Sequence, residues 1–302
     1  MALDAKLISR SNDPSHQEAP TDAEAVTTTA AAGPGQWRLL YFDAPTRGEQ
    51  LRLLFRLAKQ PFDDVRLVWP SGIAPYKHAA LGDASPLLFD QCPMVTSPDG
   101  HHIAQTAAAM QFVGRRLGLA PAGGDDGGVA ADARALALTL GAEELRNAVF
   151  YKLLIPAVAG EILRRRCCGL FCWLRWPINA AFGVGGVVRS LAGRLALFEA
   201  ALRDGRAQRR RAAAPDGDED GGGGAAGSVA FLCGEAPCYA DVAVFDCVRE
   251  IVELPGVVDR AAALAPFPLL AALVTHLEAT PELAGYLAER GPAAVSLAAR
   301  YA

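Results

Sequence analysis

No CxxC pair, G-x-S-x-G elbow, phosphate-binding P-loop or H-E-x-x-H helix occurs anywhere in the 302 residues. Their absence removes the usual signatures of a structural zinc site, a serine hydrolase, a nucleotide hydrolase and a zinc protease. Gly183-Val184-Gly185-Gly186 is too short and badly placed to be a dinucleotide loop. Excess positive charge is also missing: the net charge is −4 and the pI about 5.8, which gives phosphate backbones no general attraction. Nucleic acid is therefore not an expected partner. The short arginine runs 164–166 and 209–211 read as solvated helix ends. No apolar leader opens the chain, and Asp4, Asp13, Glu18, Asp22 and Glu24 are too many acids for a transit peptide. Residues 1–35, polar and rich in Ala, Thr and Pro, read as a disordered tail.

Apolar residues supply 51% of the chain, and its length suits about two domains. The seven cysteines (Cys92, Cys167, Cys168, Cys172, Cys233, Cys238 and Cys247) are odd in number, which points to reduced thiols and a cytoplasmic location. Order is expected to begin at Trp37. WRLLYF is a strand broken by Asp43-Ala44-Pro45-Thr46, and Leu51, Leu54, Phe55 and Ala58 then recur at helical spacing. Charges at Arg47, Glu49, Arg52, Arg56 and Lys59 fall on the other sides of that helix, with Arg47 one turn in. A second strand is expected over 65–69, followed by irregular chain over 70–86. Residues 94–96 and 102–104 flank Ser97-Pro98-Asp99-Gly100 and read as a hairpin. Thr106 is expected to cap a helix with Ala109, Met110, Val113 and Leu117 on one face, ended by Gly118.

The order is βαβ then ββα, an α/β domain over 36–119. A Gly- and Asp-rich linker over 120–131 leads to an all-α domain over 132–290, and a tail follows over 291–302. Helices are expected over 132–154, 187–203, 240–252, 267–277 and 281–289. Two insertions interrupt the helical domain, at about 156–187 and 204–228. The second, with its DGDEDGGGG run, reads as low-complexity and mobile. Within the first, residues 167–188 are nearly all apolar, but Arg175, Pro177 and Asn179 near the centre disfavour a membrane span. A helical hairpin packed on the domain, or a patch resting peripherally on a membrane surface, are the two readings of this stretch.

Four local signals converge in the α/β domain. Tyr41 ends the first strand, Arg47 lies one turn into the helix, Cys92-Pro93-Met94 puts a proline just before a strand, and Gln105-Thr106 stands at a strand-to-helix junction. Pro93 there is a candidate cis proline, which would present the backbone of Cys92 as an edge for an extended peptide. The hydroxyl of Thr106 and the free N–H groups of a helix start suit a carboxylate.

LLYFDAPTRGEQLR, DQCPMV with SPDG, and HIAQTAAAMQFVGRRLGL resemble the thioredoxin-like N-terminal domain of cytosolic glutathione S-transferases. The resemblance is strongest to the tyrosine-type, sigma-like enzymes related to glutathione-dependent prostaglandin D synthases. FLCGEAPCYADVAVFDCV is similar to the start of the sixth helix in the same family. The resemblance covers about 37–287 apart from the insertions. It implies the glutathione transferase fold, a thioredoxin-like βαβ-ββα domain followed by an all-α domain.

By that resemblance Tyr41 would hydrogen-bond the sulfur of glutathione and Arg47 would steady Tyr41. Trp69 would contact the glycyl end. Gln91, Cys92 and Pro93 would hold the middle of the tripeptide, and Gln105 and Thr106 its γ-glutamyl carboxylate. Asp241 would anchor the sixth helix. Five positions depart from the pattern. Asp90 stands in place of glycine and adds negative charge near an anionic peptide, and Pro45-Thr46 replace Arg-Gly. Cys238 replaces a capping Ser or Thr, at a cost of about 1 kcal/mol. Ile73 lies where a lysine is expected, leaving Lys77 as its substitute. The implied protein is a detoxifying transferase with glutathione as co-substrate, no metal, a small-molecule electrophile as second substrate, and a homodimeric state. A glutathione-dependent isomerase and a non-catalytic binding or scaffold protein are the alternatives.

Overall fold

The computed structural model describes residues 35–122, 128–149, 184–213, 229–253 and 259–292. The readings of a disordered tail over 1–35, of most of the first insertion with its apolar run, and of nearly all of the 291–302 tail lie outside them. Four strands form one sheet in the order β2-β1-β3-β4: β1 (Trp37–Phe42), β2 (Phe62–Leu67), β3 (Met94–Thr96) and β4 (His102–Ala104). β1 runs parallel to β2 and antiparallel to β3, and β3 pairs antiparallel with β4. Helix α1 (Arg47–Leu57) makes the crossover, and α3 (Thr106–Arg116) follows β4. Between β2 and β3 lie two 3₁₀ turns (Ser71–Tyr76 and Gly82–Ala84) around the one-turn helix α2 (His78–Leu81), then a third 3₁₀ turn (Leu88–Asp90).

The period-two alternation of β1 assigns its faces. Trp37, Leu39 and Tyr41 enter the large core shared with α1, α3 and the helices beyond, whereas Leu40 joins Leu67, Ile73, Leu87, Met94 and Ala104 on the other face. The hairpin forms at the expected residues. Gly100 adopts φ 88, a conformation glycine reaches without steric cost, and its N–H donates to the Ser97 carbonyl. Gly118, at φ 74, ends α3 as its position implies.

β2 lies earlier than expected. Parallel pairing runs from Trp37 with Phe62 to Phe42 with Leu67, so Val68 and Trp69 fall outside the sheet and are exposed. Its acids are taken up by Arg38, which donates to Asp63, and by Arg52, which donates to Asp64. Arg47 is the first residue of α1 and does not stand a turn in. Thr106 is likewise the first residue of α3; Gln105 holds the cap position and makes no capping hydrogen bond through its side chain.

The remaining described helices are α4 (Val129–Val149), α5 (Val184–Ala213), α6 (Tyr239–Val252), α7 (Arg260–Leu264), α8 (Pro268–Ala279) and α9 (Pro281–Arg290). α4 begins inside the stretch read as linker. α5 continues ten residues into the stretch read as a mobile insertion, so local composition misplaced both boundaries. Among the described residues no helix is long and apolar enough to cross a membrane.

α6 is the axis of the assembly, with every residue buried. It packs on α1, α3, α4 and α8. Its start is tied by Asp241, whose carboxylate accepts from the N–H groups of Leu232 and Cys238 at 2.8 and 2.9 Å. That is the anchoring role expected of Asp241, and with Cys238 it forms a capping box. Gly114 is needed on the facing helix, since a Cβ there would approach the Tyr239 ring to 2.7 Å.

Two of the five charges on the other sides of α1 are buried. Glu49 and Arg52 are each 1% exposed. Arg52 donates to Asp64 and to the carbonyls of Ala44 and Phe42, and Glu49 lies between Arg52 and Arg290 of α9. From α4, the buried Arg146 donates to Asp246 and Glu250 of α6 and lies near Glu143. Burial alone would pull Arg146 down, but Glu250 and Asp246 outweigh it and raise its pKa well above the usual value. One arginine facing three carboxylates leaves an excess of negative charge. Burial therefore pushes Glu250 up to about 7, Arg146 offsetting only part of the effect, and its Oε1 has no hydrogen-bond partner.

A carboxyl whose pKa is higher folded than unfolded binds its proton more tightly in the native state. It thus costs stability as pH rises from 4.5, its ordinary value, to about 7. Glu250→Gln is expected to remove that part of the pH dependence, on the order of 3 kcal/mol between the two ends. Urea unfolding of both proteins at several pH values checks this. Parallel pH profiles for wild type and variant would show that folding leaves the Glu250 pKa unshifted.

Candidate functional site

A cavity of about 700 Å³ opens where the ends of the sheet meet α4. One wall comes from the α/β domain: Gln91, Cys92 and Pro93 before β3, then Gln105, Thr106, Ala107, Ala108 and Gln111 along α3. The other comes from α4, through Leu136, Leu140, Glu143 and Asn147, with Arg47 at the start of α1 beside them. Six residues expected in the site therefore meet in one cavity: Arg47, Gln91, Cys92, Pro93, Gln105 and Thr106.

The α/β wall of the cavity is fixed by the backbone. The Cys92–Pro93 bond is cis, as its place before β3 suggests. Gln105 adopts φ 72, a left-handed conformation uncommon for a residue with a side chain. Its Nε2 donates to Oε1 of Gln91 at 3.1 Å, which links the two segments across the cavity. Asp90 also lies in left-handed space, at φ 53, where glycine is costless and aspartate is among the better tolerated residues. Its carboxylate accepts from the His78 backbone N–H and meets the His78 ring, both at 2.7 Å, and these contacts lower its pKa. The added negative charge is thus engaged by His78.

Tyr41 does not line the cavity. It is 6% exposed, and its hydroxyl lies 2.7 Å from the hydroxyl of Thr46. Burial raises the phenol pKa; the Thr46 hydrogen bond and the Arg47 charge oppose that rise, while Cys92 adds to it. Two of those neighbours, Arg47 and Cys92, are themselves cavity residues. The Cys92 thiol is pushed up to about 11 by burial and so stays protonated at neutral pH. Arg47 turns toward α4, donating to Asn147 Oδ1 and standing 3.6 Å from Glu143, which also accepts from Gln50. Lys77 lies outside the cavity but close enough for its charge to act on both Cys92 and Asp90. Trp69 also lies outside it and is 58% exposed.

Sequence reasoning did not find Thr46, Gln111, Glu143 or Asn147. Thr46 stands in a segment read as a strand breaker and as a departure from the family pattern, and neither reading gave its hydroxyl a role. The α4 residues carried a signal: Leu136, Leu140, Glu143 and Asn147 repeat at three- and four-residue spacing and so share one helix face.

Tyr41 is held from below by Gly48. A Cβ at that position would lie 2.3 Å from the tyrosine ring. Gly48→Ala gains up to about 1 kcal/mol of helix propensity, but displacing a buried ring costs about 1–3 kcal/mol. The expected net result is a lower urea midpoint and loss of the Tyr41–Thr46 hydrogen bond. A variant as stable as wild type would show that the ring has room to move.

Comparison with known proteins places these features. Residues 219–290 match the family model described as glutathione S-transferase, C-terminal domain. Glutathione S-transferase 1 of Ascaris suum is 39% identical over 88 residues, which is 28% of this chain and 37% of that protein. The chain thus aligns with little more than a third of that relative's length. Among solved structures, NaGST-2 superposes with a TM-score of 0.57 at 17% identity, covering 86% of this chain and 98% of the other. The glutathione S-transferase from Ascaris lumbricoides gives 0.54 at 20% identity, covering 86% and 99%. A Caenorhabditis elegans glutathione S-transferase gives 0.53 at 20%, covering 85% and 98%. The chain therefore has the glutathione S-transferase fold, a thioredoxin-like α/β domain followed by a helical one, and residues 219–290 carry the matched C-terminal region of that family.

Proposed function

We propose that the chain is a glutathione transferase, with the tripeptide bound along the α/β wall of the cavity and an apolar electrophile against Leu136 and Leu140 of α4. The observation that carries this reading is the convergence of Gln91, Cys92, cis-Pro93, Gln105 and Thr106 on one cavity facing a helix of the second domain. Gln105 and Thr106 at the start of α3 offer donors to the γ-glutamyl carboxylate, and the Cys92 backbone offers a strand-like edge to the cysteinyl residue. Lys77 supplies positive charge beside that edge. Trp69, on the exposed segment after β2, is assigned to the glycyl end. The assembly proposed for this function is a homodimer.

A free thiol of pKa about 8.5 is only a few per cent thiolate at neutral pH. Tyr41 is the group proposed to shift that balance. The two hydroxyls, Tyr41 and Thr46, lie 2.7 Å apart and either can donate. In this reading Thr46 donates, which leaves the phenolic hydrogen for the sulfur anion, and Arg47 adds positive potential nearby. The thiolate then attacks the electrophilic carbon, the carbon–sulfur bond forms as the leaving group departs, and the thiol proton passes to solvent. The burial of Tyr41 favours a second reading, a protein that binds glutathione without turning it over.

Tyr41→Phe separates the two. Retention on immobilised glutathione is expected to persist in the variant, while kcat/KM for conjugation of an aryl halide falls by about a hundredfold. Equal turnover by wild type and variant would remove Tyr41 from the chemistry. Binding with no turnover in the wild type itself would establish the non-catalytic reading.

A further inference from the structure

The helix α6 is entered through the loop Cys233-Gly234-Glu235-Ala236-Pro237-Cys238, which begins and ends in cysteine. Its two ends are brought together by one carboxylate, because Asp241 accepts from the N–H groups of both Leu232 and Cys238. Cys233 is the strongest single influence on the Cys238 thiol, acting as a side-chain hydrogen-bond partner. Cys233 is partly exposed and Cys238 buried, while Glu235 and Ala236 at the tip of the loop are exposed. We infer that Cys233 and Cys238 form an oxidisable dithiol, a modification site that closes to an intraloop disulfide when the protein meets a disulfide oxidant.

Three features support the step. The sulfurs of a disulfide lie about 2 Å apart, a separation reached by side-chain movement because Asp241 already ties the two ends of the loop together. The loop between them is six residues long, counting both cysteines, and Asp241 already holds it closed, so little further chain entropy is lost on bonding. Access is ordered as well. The exposed member, Cys233, is the sulfur that a dissolved oxidant reaches first, and Cys238, held protonated by its contact with Cys233 and by burial, waits behind it. The other buried thiol at this helix, Cys247, donates to the Ala142 carbonyl and is fully enclosed, so it is no competitor.

With glutathione disulfide as oxidant, the Cys233 thiolate attacks one sulfur, forming a mixed disulfide and releasing one glutathione. Cys238 loses its proton and attacks the Cys233 sulfur, expelling the second glutathione. Two protein thiols are oxidised by two electrons, one disulfide is reduced to two thiols, and both protons end on the departing glutathiones. The bond would cross-link the same loop that Asp241 holds by hydrogen bonds, and so clamp the entry to α6.

The test is peptide mapping of the full chain after incubation with glutathione disulfide and rapid alkylation. The expected product is a Cys233–Cys238 cross-link in the wild type, and a glutathione adduct retained on Cys233 in Cys238→Ser. A rise in thermal midpoint on oxidation, absent in Cys233→Ser, is the second expected result. A wild type that keeps glutathione on Cys233, joins Cys233 to another cysteine, or leaves both thiols alkylated would overturn the inference. The wild-type map decides the matter even if Cys238→Ser does not fold.

Discussion

Arg146 is 2% exposed and reaches from α4 to two carboxylates on α6, Asp246 and Glu250. Most of the arrangement depends on that contact. Taking three charges out of water is expensive, and such a cluster adds little net stability over an apolar core of the same shape. Removing one partner, however, leaves a buried charge uncompensated, at a cost of about 3–5 kcal/mol. The cluster therefore fixes which turn of α4 faces which turn of α6. Glu143 and Asn147, the neighbours of Arg146 on α4, are thereby presented to Arg47. A second set, Asp64–Arg52–Glu49–Arg290–Glu253, joins β2 and α1 to α9. The cavity exists because these contacts hold α4 opposite the sheet ends.

The α/β wall of the cavity is set by the backbone as much as by side chains. Asp90 and Gln105 both accept left-handed conformations that most residues avoid, and they flank the two segments that Gln91 and Gln105 tie together. Such positions carry a cost that the surrounding contacts must offset. The Asp90–His78 pair is one such contact, and it also turns a carboxylate aside from a site proposed for an anionic peptide. Tyr41 is positioned differently. A glycine beneath its ring, a hydroxyl partner at Thr46 and the nearby Arg52 guanidinium confine it, so its orientation is settled before any ligand arrives.

Much of this was legible in the chain because it rests on local chemistry. The alternation in WRLLYF, the SPDG turn, the proline before β3 and Gly118 each specify a short stretch of backbone, and each is found as read. Six of the expected site residues meet in one cavity for the same reason. What could not be read are consequences of packing. Glu49 and Arg52 lie off the apolar stripe of α1, and contacts from Asp64, the Phe42 and Ala44 carbonyls and Arg290 of α9 enclose them. Val68 and Trp69 look like strand residues, yet the parallel register with β1 ends at Leu67. The burial of Tyr41 follows from Gly48 and Thr46 acting together, which no single-residue signal reveals.

The most direct test of the proposed glutathione site is calorimetric titration of glutathione into the wild type and Thr106→Ala. If the cavity binds the γ-glutamyl carboxylate at the start of α3, losing one hydrogen bond to a charged group should weaken binding by about tenfold or more, from roughly 1.5–3 kcal/mol. Unchanged affinity in the variant, or no heat of binding in the wild type, would contradict it.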